Sequence, residues 1–196
     1  WRPPELLPVP HLLRHLRAPV TDRRARLQVL YTSIEARVAS THAASTDPWP
    51  CTIGCDTCCH KLSKIPKITD AEWELLAAAV ARVPEHHPLF AARIAALEGV
   101  EFGPLVCPFL APEDGVARPG SCLVYDGRPT ACRTYGYYAE RGDLLGCATI
   151  LAHDNDGAAG IVWGNQLAVD RELDALCIDS SEGRRSIVDR FQERLR

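Results

Sequence analysis

Methionine is absent from the 196 residues, and the first residue is Trp1, so the native start is expected upstream. No apolar run approaches the ~20 residues needed to span a bilayer. Nor does the sequence open with a charged-then-apolar stretch and a small-residue cleavage site. A cytoplasmic setting and no membrane partner are therefore expected. Neither sign of charge is in excess: the formal net charge is −3, which supplies no general attraction to nucleic acid or to an anionic surface. There is no P-loop and no convincing Ser–His–Asp arrangement, which leaves the common nucleotide and hydrolase readings without support.

What the chain has in quantity is cysteine, nine in all, four of them in the ten residues CTIGCDTCCH from Cys51 to His60. Disulfides, a redox-active thiol pair and a metal site compete to explain this. Small secreted domains use disulfides because their cores are small, whereas 196 residues with 46% hydrophobic content suffice for an ordinary core. The count is odd, and the neighbours Cys58 and Cys59 bond to each other only through strained geometry. Metal ligation is the reading this pattern favours.

The organisation agrees. Trp1 to Val20, rich in Pro, Leu and Arg, reads as an extended arm. From Asp22 to about Ala43, Leu27, Leu30, Tyr31, Ile34 and Val38 recur at three- and four-residue steps, the pattern of an amphipathic helix capped by Thr21 or Asp22. Pro48 and Pro50 break it. Thr69 and Glu72 form a capping box for the next helix, whose apolar face carries Trp73, Leu76, Ala77 and Val80. A partner helix follows from about Pro88 to Leu97, with Leu89, Ile94 and Leu97 as buried candidates, and Gly99 stops it.

Val100 to Gly146 has no sustained period and is rich in Pro and Gly. Short strands are expected at Cys122–Tyr125 and Ala148–Leu151, with HDNDGAAG as a turn and GIVWG pairing back as a hairpin strand. Helices are expected at Asn165–Cys177 and Ser180–Leu195. The fold class is thus mainly α, with an irregular cysteine-rich core and a small β-hairpin. An arm and helix occupy 1–46 and the cysteine-cluster domain 47–196, together forming one unit.

Thiolates suit tetrahedral zinc or an iron–sulfur cluster. Cys51-x3-Cys55-x2-Cys58-Cys59 supplies one ligand group, with Gly54 permitting a tight bend, and Cys107, Cys122, Cys132 and Cys147 supply another. Eight thiols in two fours suggest two four-thiolate sites, or one site plus structural thiols. Arg128 and Arg133 flank Cys132, with Tyr125 and Tyr135 close by; such groups would tune a negative centre or hold an anionic ligand. His60 is a weaker ligand candidate, and His86 and His87 read as solvated. His153-Asp154-Asn155-Asp156 lacks calcium-loop spacing, and Cys177 reads as a small core residue.

CTIGCDTCC, CPFL at Cys107 and SCLVYDGRPTACRTYG from Ser121 to Gly136 resemble the YkgJ-like cysteine-cluster family, described as carrying a CxxCxxCC domain that chelates zinc or iron. The resemblance covers about Cys51 to Cys147, with one departure: three residues rather than two separate Cys51 from Cys55. It implies a metal-binding domain of unassigned chemistry. Some relatives, such as flagellin lysine methylases, look like iron–sulfur proteins that modify a protein side chain. No Gly-rich loop here follows a plausible strand, so no S-adenosylmethionine site is read and that activity is not carried over. The leading expectation is an iron–sulfur centre, 4Fe-4S in type, used in redox chemistry or in modifying a small molecule or protein side chain. The alternatives are a zinc-stabilised partner-binding module and a metal carrier.

Overall fold

A computed structural model describes residues 20–112, 122–155, 161–177 and 183–195. The arm expected at Trp1–Val20 lies outside them except for its last residue. Eight helices are described: α1 (Val20–Ala44), α2 (Thr57–His60), α3 (Asp70–Ala81), α4 (His87–Ala95), α5 (Thr130–Thr134), α6 (Ala148–Asn155), α7 (Gln166–Leu176) and α8 (Ile187–Leu195). Seven short strands join them: β1 (Leu62–Lys64), β2 (Lys67–Ile68), β3 (Phe102–Leu105), β4 (Tyr138–Glu140), β5 (Asp143–Leu144), β6 (Gly164–Asn165) and β7 (Arg185–Ser186). They form the antiparallel pairs β1–β3 and β2–β7 and a three-stranded sheet ordered β5-β4-β6. The class is mainly α with small strand pairs, as expected.

Helical periodicity places α1. Leu27, Tyr31 and Ile34 are buried, and Leu30 and Val38 pack beside them. The helix is already under way at Val20, so Thr21 and Asp22 lie within it rather than capping it. Two apolar cores result. The first gathers Leu27, Tyr31 and Ile34 with Trp49, Tyr137, Tyr138, Ile150 and the buried face of α7. The second gathers Trp73, Leu76, Phe90, Ile94, Phe109, Val124, Ile187 and Val188. Helix α3 serves both, sending Ala71 and Leu75 into the first and Trp73, Leu76 and Ala79 into the second.

Several expected elements differ. Ala148–Leu151 is not a strand but the start of α6, with Ile150 buried in the first core. A short apolar run has no period of its own to separate strand from helix. Cys122–Tyr125 contributes only an isolated bridge from Cys122 to Leu110 before the chain tightens into a 3₁₀ turn at Tyr125–Gly127. Gly164–Asn165 pairs parallel with β4 instead of folding back as a hairpin. The hairpin is β4–β5, turned through Arg141 and Gly142 at positive φ. The last helix begins at Ile187, because Arg185 and Ser186 pair with β2; the expected start at Ser180, with Ser181 and Glu182, lies outside the described residues. Ser186 Oγ then accepts the Asp189 amide at 3.0 Å, in the manner of an N-cap.

Close approach sets the 3₁₀ turn against α3. A Cβ at Gly127 would lie 2.5 Å from Ala79 Cβ and 2.8 Å from the Leu75 carbonyl oxygen. The polar counterpart is Glu72, which is 1% exposed. Its carboxylate completes the capping box of α3, accepting Thr69 N–H at 2.9 Å and Thr69 Oγ1 at 3.1 Å. The other oxygen accepts Thr130 N–H at 2.8 Å and Thr130 Oγ1 at 2.6 Å, at the start of α5. One buried charge thus has four donors and joins two helix starts.

Glu72→Ala is expected to destabilise the fold by at least about 3 kcal/mol, since it strands buried donors at both helix starts. Exposed Glu74→Ala should stay within about 0.5 kcal/mol of the parent. Urea unfolding midpoints at unchanged slope measure both; equal effects would contradict the role given to Glu72.

Candidate metal centre

The first ligand loop is built by a tight turn. Cys55 N–H donates to the Thr52 carbonyl at 3.0 Å, and Gly54 sits at φ 96°. The extra residue between Cys51 and Cys55 is absorbed there. Cys51 packs against the first core, with its Sγ 3.8 Å from the Tyr135 carbonyl oxygen. Cys58 and Cys59 lie on the single-turn helix α2, and Cys59 is tied to the next segment by a 2.7 Å bond from Cys107 N–H to its carbonyl. Leu110, bonded back to the Cys107 carbonyl at 3.2 Å, carries the bridge to Cys122. Cys132 stands in the single-turn helix α5, the helix that Glu72 holds. Cys147 immediately precedes α6 and packs on the first core.

None of the nine cysteines is in a disulfide, and Cys55 and Cys132 are exposed residues. The thiols of Cys58, Cys59 and Cys107 are successive neighbours. These contacts come first among the causes that raise both thiols, Cys59 to about 12 and Cys58 higher still. Burial, then the neighbouring Cys55, pushes Cys51 up to about 11. Burial raises Cys122, countered by a hydrogen bond from the Val124 amide and by Arg128. Cys132 keeps accessible surface, yet the protein packed around it and the thiols Cys122, Cys59 and Cys58 raise it as well. Among the described residues no three His, Cys, Asp or Glu side chains converge tightly enough to hold a metal ion as placed. The donors suit a soft metal by type but not by their present spacing; ligation requires the thiols to turn and to give up their protons.

The two arginines differ. Arg128 lies over the Tyr125 ring at 3.7 Å, its Nε buried without a partner, and its charge acts on Cys122 and Cys132. Arg133 turns away from the thiols, donating to Glu35 at 3.0 Å and to the carbonyls of Asp126 and Arg128 at 2.8 and 3.0 Å, over the Tyr31 ring at 4.0 Å. Tyr135 has its phenol raised by burial first and then by Cys147, Cys58 and Cys51. His60 pairs with Asp56 at 3.3 Å, and Cys177 ends α7, its thiol raised by burial first and then by Asp70. Tyr137 was not singled out from sequence. Its hydroxyl donates to the Cys51 carbonyl in a short bond, and His42 Nε2 lies 3.1 Å from the same hydroxyl. The YGYY run beside Cys132 was the available signal, but Tyr137 is distant from Cys51 along the chain.

A helical scaffold thus gathers thiols from separate segments beside two single-turn helices. The family model CxxCxxCC, "Putative zinc- or iron-chelating domain", matches residues 50–150, and the chain belongs to that family. No curated protein and no solved structure matches it at a significant level.

Gly136 separates backbone strain from site crowding. It sits at φ 86°, where a Cβ would meet Cys51 Sγ at 3.1 Å. Gly142, at φ 96°, faces open space. Gly142→Ala should cost about 1–2 kcal/mol from strain, and Gly136→Ala should cost more and also weaken zinc binding. Urea unfolding and zinc titration check this; equal metal affinity in both variants would contradict it.

Proposed function

We propose that the chain carries an iron–sulfur centre on this thiol cluster and uses it in redox chemistry or in modifying a small molecule or protein side chain. The observation that carries the reading is an open, electrostatically unequal thiol set. Cys55 and Cys132 reach the surface, while Arg128 brings a cation to Cys122 and Cys132. A closed structural zinc site has neither requirement. The proposed ligands are Cys51, Cys55, Cys58, Cys59, Cys107, Cys122, Cys132 and Cys147.

An iron–sulfur centre would supply electron transfer or substrate activation when bound. The protein's own part is to hold thiolates, offset their charge and admit a ligand. Arg128, braced on Tyr125, is positioned to attract an anionic group or stabilise added negative charge. Tyr135 stands beside the thiols on the Cys51 side. Arg133 acts as a positioning residue, because its ion pair and carbonyl bonds hold α5, and with it Cys132, against α1 and the 3₁₀ turn.

Anaerobic purification from iron-replete cells, followed by iron, zinc and acid-labile sulfide analysis, tests the reading. Brown protein containing sulfide is expected. Cys132→Ser should lower visible absorption and iron content, whereas Cys177→Ser should change neither. Arg128→Ala should retain the metal but lose affinity for small anions added to the loaded protein. Colourless protein with stoichiometric zinc and no sulfide would defeat the iron–sulfur reading and leave the zinc-stabilised module in its place.

A further inference from the structure

We propose that the ribbon β1–β3, with the turn leading into β2, is a docking surface for an acidic, extended segment of a partner protein, held by Lys61, Lys64 and Lys67 and by the apolar side chains of Phe102 and Val106. Docking itself does not depend on a metal; only the use of the docked segment as a protein substrate rests on the function proposed above.

Lysine is confined to this place. Of the 22 basic residues in the sequence, only Lys61, Lys64 and Lys67 are lysine, and no acidic residue stands between them. All three are exposed. Arginines elsewhere are engaged with acids: Arg82 with Asp126, Arg133 with Glu35, Arg184 with Asp170 and Asp174, and Arg190 with Asp70. No lysine joins an ion pair or a side-chain hydrogen bond among the described residues, and Glu101, the acid next to Phe102, is no exception. A chain of net charge −3 thus carries one short positive strip without acidic partners. At about 3.3 Å per residue, successive lysines stand at most about 10 Å apart, the spacing of every third carboxylate on an extended partner. Screening over about 8 Å at physiological salt makes this strip, rather than the net charge, what a partner meets.

The apolar part is placed by an irregularity in the ribbon. Leu62 pairs with Leu105, both half-buried, and Leu105 packs on the second core. The register then shifts, and Lys64 pairs with Phe102, both exposed. A shift of this kind re-aims a side chain, and here it leaves Phe102 72% exposed across from a lysine. Val106, 47% exposed, follows β3. Lysines on an edge strand also hinder pairing with other copies, a purpose that an exposed phenyl ring beside them opposes. Nucleic-acid surfaces favour the arginine fork, and this strip has no arginine in a chain that otherwise prefers it. With two strands only, the ribbon has outer edges along which an extended segment can pair. Its position leads to the thiols: β1 begins three residues after Cys59 and β3 ends two before Cys107, whose N–H donates to the Cys59 carbonyl at 2.7 Å.

Fluorescence anisotropy of a labelled peptide rich in glutamate and carrying leucines, mixed with the reduced full chain, tests the proposal. Binding is expected, weakening as salt rises. Lys61→Gln, Lys64→Gln and Lys67→Gln together should weaken it roughly tenfold, and Phe102→Ser at least about threefold. Arg24→Gln, Arg26→Gln and Arg171→Gln together remove the same charge from exposed positions elsewhere and should leave affinity within about twofold. All these positions are exposed, so both cores are spared, and circular dichroism verifies unchanged helix content. No binding by the wild type, equal loss in the lysine and arginine variants, or a single-stranded RNA of matched charge bound as tightly as the peptide would overturn the proposal. Iron, zinc and sulfide are measured on the same preparations. Their absence defeats the metal reading and leaves docking standing, whereas metal-loaded protein that ignores the peptide defeats docking alone.

Discussion

A carboxylate with almost no surface of its own decides where Cys132 stands. Glu72 lies between the two cores and accepts from Thr69 at the start of α3 and from Thr130 at the start of α5. A buried charge is tolerated only when its lone pairs are met by donors, and four donors meet this one. Thr130 lies 58 residues from Glu72 along the chain, so satisfying the charge also fixes a long-range contact. Cys132 follows two residues after Thr130, and its position depends on that contact.

Around this anchor the arrangement is one of small motifs held by large helices. Single-turn α2 and α5 have no independent stability, since helix nucleation is unfavourable at that length. They persist because α5 packs against α1 and α2 against β3, and because the Thr130 bonds to Glu72 and the Cys107 N–H bond to the Cys59 carbonyl hold them in place. Arg133 illustrates the economy of the design: one guanidinium reaches α1 through Glu35 and the 3₁₀ turn through Asp126, and it covers Tyr31. A residue so engaged stiffens the support of Cys132. Arg128, with an unpartnered Nε, retains capacity for a further partner.

The same separation of labour bears on chemistry. Membership in the CxxCxxCC family accounts for zinc- or iron-chelation by residues 50–150. It leaves open which reaction, if any, the metal supports. On the proposed reading the answer lies in asymmetry around the thiols: a cation on the side of Cys122 and Cys132, phenols on the side of Cys51, and an exposed residue at Cys55.

Composition and spacing alone pointed to a cysteine-rich chelating domain, to thiols not needed as disulfides in so large a core, and to helices framing the cluster. The capping box at Thr69 was likewise legible, because its partners lie within one turn. What only the tertiary structure decided are the features whose partners are remote in sequence. The second pair of bonds on Glu72, the turning of Arg133 toward Glu35, and the bond of Tyr137 to the Cys51 carbonyl all join residues far apart along the chain. Short elements were misjudged for a related reason. Four residues at Ala148–Leu151 contain no period that distinguishes helix from strand, so the choice fell to Ile150 finding its place in the first core. Local pattern specifies what a segment can become, and long-range packing and charge satisfaction select among those states.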